Sequence, residues 1–178
     1  MKADAHSVAV AAVVGALYAV ATLALAPISY GPLQLRLSEC LCVLPFFLPC
    51  SVWGLAVGCA LANIATGSVL DIVFGSLATL IAGLLTARAG RLGSTPAARV
   101  LGCAAPVAVN ALVVGAVVSY AYNGFDPVTA PGVYALNALQ IAAGEAAVMF
   151  LVGLPLMHYL PGKRFFREII EKTSNKEE

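Results

Sequence analysis

Charge is what this sequence has least of. Lys and Arg supply 10 residues and Asp and Glu 9, so charged side chains make up 11% of 178 residues, against about 25% in a typical soluble domain. Hydrophobic residues reach 61%, more than a soluble sphere can hide behind so few charges. These shortages exclude an ordinary cytosolic enzyme and a disordered chain. A net charge of +1 leaves no basic footprint for nucleic acid. Catalytic signatures are also missing. There is no G-x-x-x-x-G-K-[ST] loop, no H-E-x-x-H, no nucleophile elbow and no paired catalytic carboxylates. The two histidines, His6 and His158, lie near opposite ends of the chain. An intramembrane enzyme is therefore the weakest reading, and no cofactor is expected. Cysteines occur at 40, 42, 50, 59 and 103. Their number is odd, none forms C-x-x-C and all sit in apolar runs, so they read as small buried hydrophobes rather than metal ligands or disulfides.

What remains is an integral membrane protein. A spanning helix needs about 20 apolar residues, so one compact all-α bundle without an extramembrane domain is expected. The first apolar core, Val8 to Ala26, is longer than a signal-peptide core and is followed by further spans, so it reads as a retained helix. The charge-free run Cys40–Thr66 would be about 40 Å long as one helix, too long for a hydrocarbon core of about 30 Å without strong tilt. Pro45 and Pro49 divide it, since proline removes a backbone donor and clashes with the preceding turn. Six spans result, at about 6–28, 39–49, 51–66, 69–87, 100–122 and 134–160, with a polar tail over 161–178. Lys2, Arg88, Arg91, Arg99, Lys163, Arg164, Arg167, Lys172 and Lys176 then fall on one side and only Arg36 on the other. This bias puts both termini in the cytoplasm. An unbroken 40–66 helix gives the same bias, so the prolines, not the charges, favour six.

With that orientation the polar residues collect at one depth. Glu39, Asn63 and Asp71 fall near the outer surface, Asn137 and Gln140 in the outer part of the last span, and Asn110 and Glu145 near mid-membrane. At about 100° per residue, Gln140, Asn137 and Glu145 share one face. The pattern points to a cavity open to the outside and closed below by apolar packing. A carboxylate at mid-membrane is costly unless paired or hydrated, which makes Glu145 a functional candidate. A structural carboxyl bonded to a neighbouring helix is its alternative. Asp71 and Glu39 have a capping alternative, Arg36 a simple pairing with Glu39 at i,i+3, and Asn63 and Asn110 a role as packing glue. In the first span Ala5, Ala9, Ala12, Ala16 and Ala19, with Gly15, form a strip of small residues. Such a strip lets another helix approach closely, either within the bundle or from a second protein.

Six segments in order carry a resemblance. They are Gly31-Pro-Leu-Gln-Leu-Arg-Leu-Ser-Glu39, Leu44-Pro-Phe-Phe47, Gly58-Cys-Ala-Leu-Ala-Asn63, Leu70-Asp-Ile-Val-Phe-Gly-Ser-Leu-Ala-Thr79, Val109-Asn-Ala-Leu-Val-Val-Gly115 and Asn137-Ala-Leu through Gly144-Glu145 to Gly153-Leu-Pro155. Over residues 8–160 the chain resembles the QueT family, the queuosine-precursor substrate-binding (S) components of energy-coupling-factor (ECF) transporters. The resemblance implies a multi-pass protein of the bacterial cell membrane and supports the six-helix bundle. It implies an outward-facing site with Ser29–Ser38 as a lid. Its partners would be an ECF module of one transmembrane coupling protein and two cytoplasmic ATPases, on which the loaded subunit topples. Docking on the coupling protein would use Ala12, Gly15, Ala16 and Ala19.

The implied cargo is a 7-deazaguanine: preQ1, preQ0 or queuine. Its N1–H and 2-amino group are donors that one carboxylate accepts together, with Glu145 the first choice and Asp71 the second. Gln140, Asn137 or Asn110 would meet the oxo edge, and Glu39 the aminomethyl cation of preQ1. Trp53, Tyr30, Phe46 and Phe74 are candidates for stacking. An S component for another vitamin-like molecule, or a stand-alone secondary carrier, are the alternatives.

Overall fold

The computed structural model describes residues 4–29 and 35–174. Among them there is no strand; the chain is a bundle of helices. Four helices are long and apolar enough to cross a membrane: α1 (Ala5–Ala24), α4 (Asp71–Gly90), α5 (Pro96–Tyr122) and α6 (Pro131–Gly162). Two shorter apolar helices complete the bundle, α2 (Leu37–Phe46) and α3 (Ser51–Asn63, extended by a turn over Ile64–Thr66). A final helix, α7, covers Arg164–Ser174. The exposed surface carries many large apolar side chains, among them Val20, Leu101, Leu112, Leu139 and Leu151. Such a surface suits acyl chains rather than water.

The helix boundaries follow local chemistry. Asp4 caps α1 by accepting from the His6 N–H at 3.3 Å. Thr95 caps α5 by accepting from the Ala98 N–H at 3.2 Å, with Pro96 in the first turn, where its missing donor costs nothing. α1 stops at Ala24, short of the expected 28, and a separate turn, Ala26–Ser29, follows around Pro27. The later helices start before the expected positions, α5 at 96 instead of 100 and α6 at 131 instead of 134. In both cases a proline, Pro96 and Pro131, marks the first turn.

Two segments differ in kind from the sequence expectation. The stretch expected as a short helix over 39–49 winds over ten residues, 37–46, as a 3₁₀ helix, about 20 Å long at about 2.0 Å per residue. Residues three apart then stack in one column, which lines up Arg36, Glu39, Cys42 and Pro45. The segment expected as a plain polar tail instead contains α7. Its Phe166 is buried and meets Phe47 edge to face at 5.7 Å, with Ile169 and Ile170 packed on the same core. Its apolar residues at 166, 169 and 170, with the buried Thr173 continuing the same face, have the spacing of an amphipathic helix.

Packing sorts the bundle into two ends. α1 and α3 run parallel and touch backbone to backbone. A Cβ on Gly15 would lie 2.5 Å from the Gly54 carbonyl oxygen, and one on Gly58 would collide with Gly15. Only glycine permits this approach. Near the end where α7 sits, Val14, Leu44, Leu48, Cys50 and Leu55 pack with Phe166. Beside them Phe46, Ala89, Ala98, Cys103 and Met157 form a second apolar cluster. The opposite end, where 25–29, 35–36, 64–70 and 123–130 lie, carries most of the buried polar side chains.

Candidate functional site

The polar end starts at the α1–α2 contact. Tyr18, fully buried on α1, donates its hydroxyl to Glu39 Oε1. Glu39 is 2% exposed, and its Oε2 accepts from the Cys42 thiol at 3.0 Å, a contact that the 3₁₀ column makes possible. One turn along α1, Thr22 Oγ1 donates to the Tyr18 carbonyl at 2.9 Å and meets Ser38 Oγ at 2.6 Å. Glu39 is thus held at both oxygens by side chains of its own bundle. Burying an acid this completely is tolerable only when it is hydrogen-bonded.

Glu145, near the middle of α6, is 4% exposed, and its Oε1 has no hydrogen-bond partner among the described residues. Asn110, near the middle of α5, lies within hydrogen-bonding reach of the same carboxyl, and the charges of Glu39 and Arg36 act on it. Arg36 itself is 7% exposed and acts electrostatically on Tyr18, Tyr122 and Glu145 together. α2, α5 and α6 therefore converge on one buried group of two acids, one guanidinium and an amide. An unbonded carboxyl oxygen in such a place forfeits free energy unless something supplies a donor.

A second cluster sits at the tip of α3, α4 and α5. Tyr122 donates to Asp71 Oδ2. Asn63 Nδ2 donates to the Asp71 carbonyl at 2.9 Å, while its Oδ1 is buried without a partner. Gly75 makes room for Asn63, since a Cβ there would come within 2.5 Å of Asn63 Nδ2. Asp71 begins a π-helical turn, Asp71–Gly75, and Tyr122 ends another, Val118–Tyr122. Such turns shift side-chain direction and occur often at functional sites. Nearby, Asn137 Nδ2 donates to Ser119 Oγ at 2.9 Å, and Ser119 donates to the Gly115 carbonyl at 2.9 Å.

Of the residues singled out from sequence, Glu39, Arg36, Glu145 and Asn110 come together. Asp71 and Asn63 form the neighbouring cluster, and Asn137 is engaged with Ser119. Gln140 is only half-buried. The aromatic candidates separate. Trp53 and Phe74 are exposed, and Phe46 lies in the apolar cluster with Met157. Tyr30 and the lid positions 30–34 fall outside the described residues. The small-residue strip divides as well. Gly15 and Ala19 are buried, Gly15 against α3, while Ala12 and Ala16 are exposed. Sequence reading passed over Tyr18, Thr22, Ser38, Ser119 and Tyr122. Tyr18 and Thr22, spaced i,i+4 in a helix otherwise apolar from Val8 onward, were the available signal. All five cysteines are free thiols.

Comparison with known proteins follows the same lines. The sequence matches the family described as QueT transporter over residues 8–161. It is 34% identical over 82 residues to the queuosine precursor transporter QueT of Lactococcus lactis subsp. cremoris (strain MG1363). That stretch covers 45% of this chain and 48% of the relative, so it spans about half of the relative's length. No solved structure matches.

Proposed function

The chain belongs to the QueT transporter family, a multi-pass membrane protein, and from this premise we propose that it binds a queuosine precursor at the polar end of its bundle and delivers it across the membrane. The relative's name supplies the cargo class, and the site chemistry supports it. A 7-deazaguanine offers two adjacent donors, N1–H and the 2-amino group, and a carboxylate accepts both. The observation that carries the reading is the buried Glu145 Oε1 without a partner, beside Asn110 and under the influence of Arg36. In this reading Glu145 takes the donor edge of the base and Asn110 lies along its rim. Glu39 supplies further negative charge toward an aminomethyl cation. Asp71, Asn63, Asn137 and Gln140 line the approach.

In the same reading α2 and α3 cross the membrane with the four longer helices, giving six spans. Both termini are then cytoplasmic, on the side holding nine of the ten Lys and Arg. The chain acts as a binding subunit, without catalysis of its own. Energy comes from a separate ECF module of a coupling protein and two ATPases, which α1 meets through its exposed Ala12 and Ala16 side.

Thermal unfolding of the full chain in detergent tests the cargo. PreQ1, preQ0, queuine, guanine, riboflavin and thiamine are compared. A ligand at 100 Kd stabilises by about 2.7 kcal/mol, so a deazaguanine should raise Tm and the vitamins should not. Glu145→Gln keeps the shape but loses the charge-assisted pair, worth about 1.5–3 kcal/mol. Affinity should fall about 10- to 150-fold. A shift with a vitamin alone overturns the cargo, and full affinity in Glu145→Gln overturns the role of that carboxyl.

A further inference from the structure

The apolar end of the bundle has a feature that cargo binding does not use. Arg88 and Arg91, one turn apart at the end of α4, are both exposed. The ion pair among the described residues is Arg164 with Glu168, so neither guanidinium meets a carboxylate there. Two clefts open on either side of α4, and both arginines line both clefts. The first, of about 480 Å³, runs between α3 and α4 and is walled by Pro49, Val52, Trp53, Ile81 and Leu84. The second, of about 560 Å³, runs between α4 and α5 and is walled by Leu92, Leu101, Ala104, Ala105 and Ala108. Two cations therefore stand at the shared head of two apolar channels that straddle one helix.

We infer that this is a binding site for an anionic two-chain phospholipid of the surrounding leaflet. The headgroup phosphate bridges Arg88 and Arg91, and one acyl chain lies in each cleft. The charge chooses the headgroup. Guanidinium forks match phosphate oxygens, and basic pockets between helices at the membrane surface favour anionic lipid. The paired clefts choose two chains. Trp53, exposed at the rim of the first cleft, is an amphipathic ring suited to headgroup level. The competing role for both arginines is to complement the negative end of α4. That role distinguishes no lipid from any other.

The test uses the delipidated full chain in mild detergent, with thermal unfolding and native mass spectrometry as readouts. Phosphatidylglycerol, phosphatidylcholine of the same chains, one-chain lysophosphatidylglycerol and glycerol phosphate are compared. Phosphatidylglycerol should raise Tm and remain bound, and the other three should do so weakly or not at all. The double variant R88Q/R91Q should bind phosphatidylglycerol about 30-fold more weakly while keeping the wild-type Tm response to its deazaguanine. The cargo response reports folding and separates this inference from the cargo reading. Ala108→Trp, which fills the second cleft and leaves both charges, should also weaken the two-chain lipid. Equal binding of phosphatidylcholine, undiminished selectivity in R88Q/R91Q, or equal binding of the lysolipid or of glycerol phosphate would each overturn the inference.

Discussion

The glycine with least room for a side chain makes the sharpest prediction. Gly54→Ala places a methyl on α3 where the Ala11 backbone carbonyl of α1 already stands. The reciprocal position is nearly as tight, a Cβ on Gly15 lying 2.5 Å from the Gly54 oxygen where ordinary contact begins near 3.4 Å. The obstruction is backbone on both sides, so no rotamer relieves it. α1 as a whole must move by roughly 1 Å, and overpacking of this kind costs about 1–3 kcal/mol. Because a rigid helix has to shift, the upper end of that range applies. Alanine's better helix propensity returns about 1 kcal/mol, leaving a net loss of about 2 kcal/mol. For a chain of this size that lowers Tm by about 4–8 °C. The control is Gly132→Ala, at the start of α6, where an added Cβ meets nothing within 4 Å and Tm should hold or rise. The two variants are compared by thermal unfolding in the same detergent. Tyr18 lies one turn beyond Gly15 on α1 and holds Glu39, so Gly54→Ala should also weaken cargo binding while Gly132→Ala should not. A Gly54→Ala protein as stable as Gly132→Ala would refute the backbone-contact argument.

Two further outcomes follow from single contacts. Tyr18→Phe removes the hydroxyl that donates to Glu39 Oε1 and leaves a buried carboxyl oxygen unmet. Stability should fall by about 1–3 kcal/mol, read from the denaturation midpoint without ligand. Phe166→Ala removes the edge-to-face contact with Phe47 and should release α7, so trypsin should cut at Arg164 and Arg167 faster than in the unaltered protein. Phe165→Ala, which changes a side chain that is 75% exposed, should leave the cleavage rate unchanged.

The parts of this fold legible in sequence are those fixed by one-dimensional rules. Bilayer thickness sets helix length, and prolines set starts and breaks, so the long helices lay within a few residues of where hydropathy put them. The winding of α2 was not legible. Nothing in Leu37–Phe46 marks a pitch of three residues, and a ten-residue 3₁₀ helix is unusual enough that its surroundings must impose it. The residues are buried on nearly every side, and the tight column is what lets Cys42 reach Glu39. α7 went unread because a charged segment after the last span looks like a solvated tail until its apolar positions are counted on a helical wheel. At the polar end the acids were legible as an inventory, since each is conspicuous in an apolar run. Which acid is already satisfied was not. That depends on Tyr18 and Tyr122, which in a membrane sequence read as packing or interface anchors. Tyr18 and Cys42 hold Glu39, and Tyr122 meets Asp71. These hydroxyl and thiol donors quiet two of the three acids, and it is their placement that leaves an oxygen of Glu145 as the buried carboxyl acceptor, among the described residues, still needing a donor.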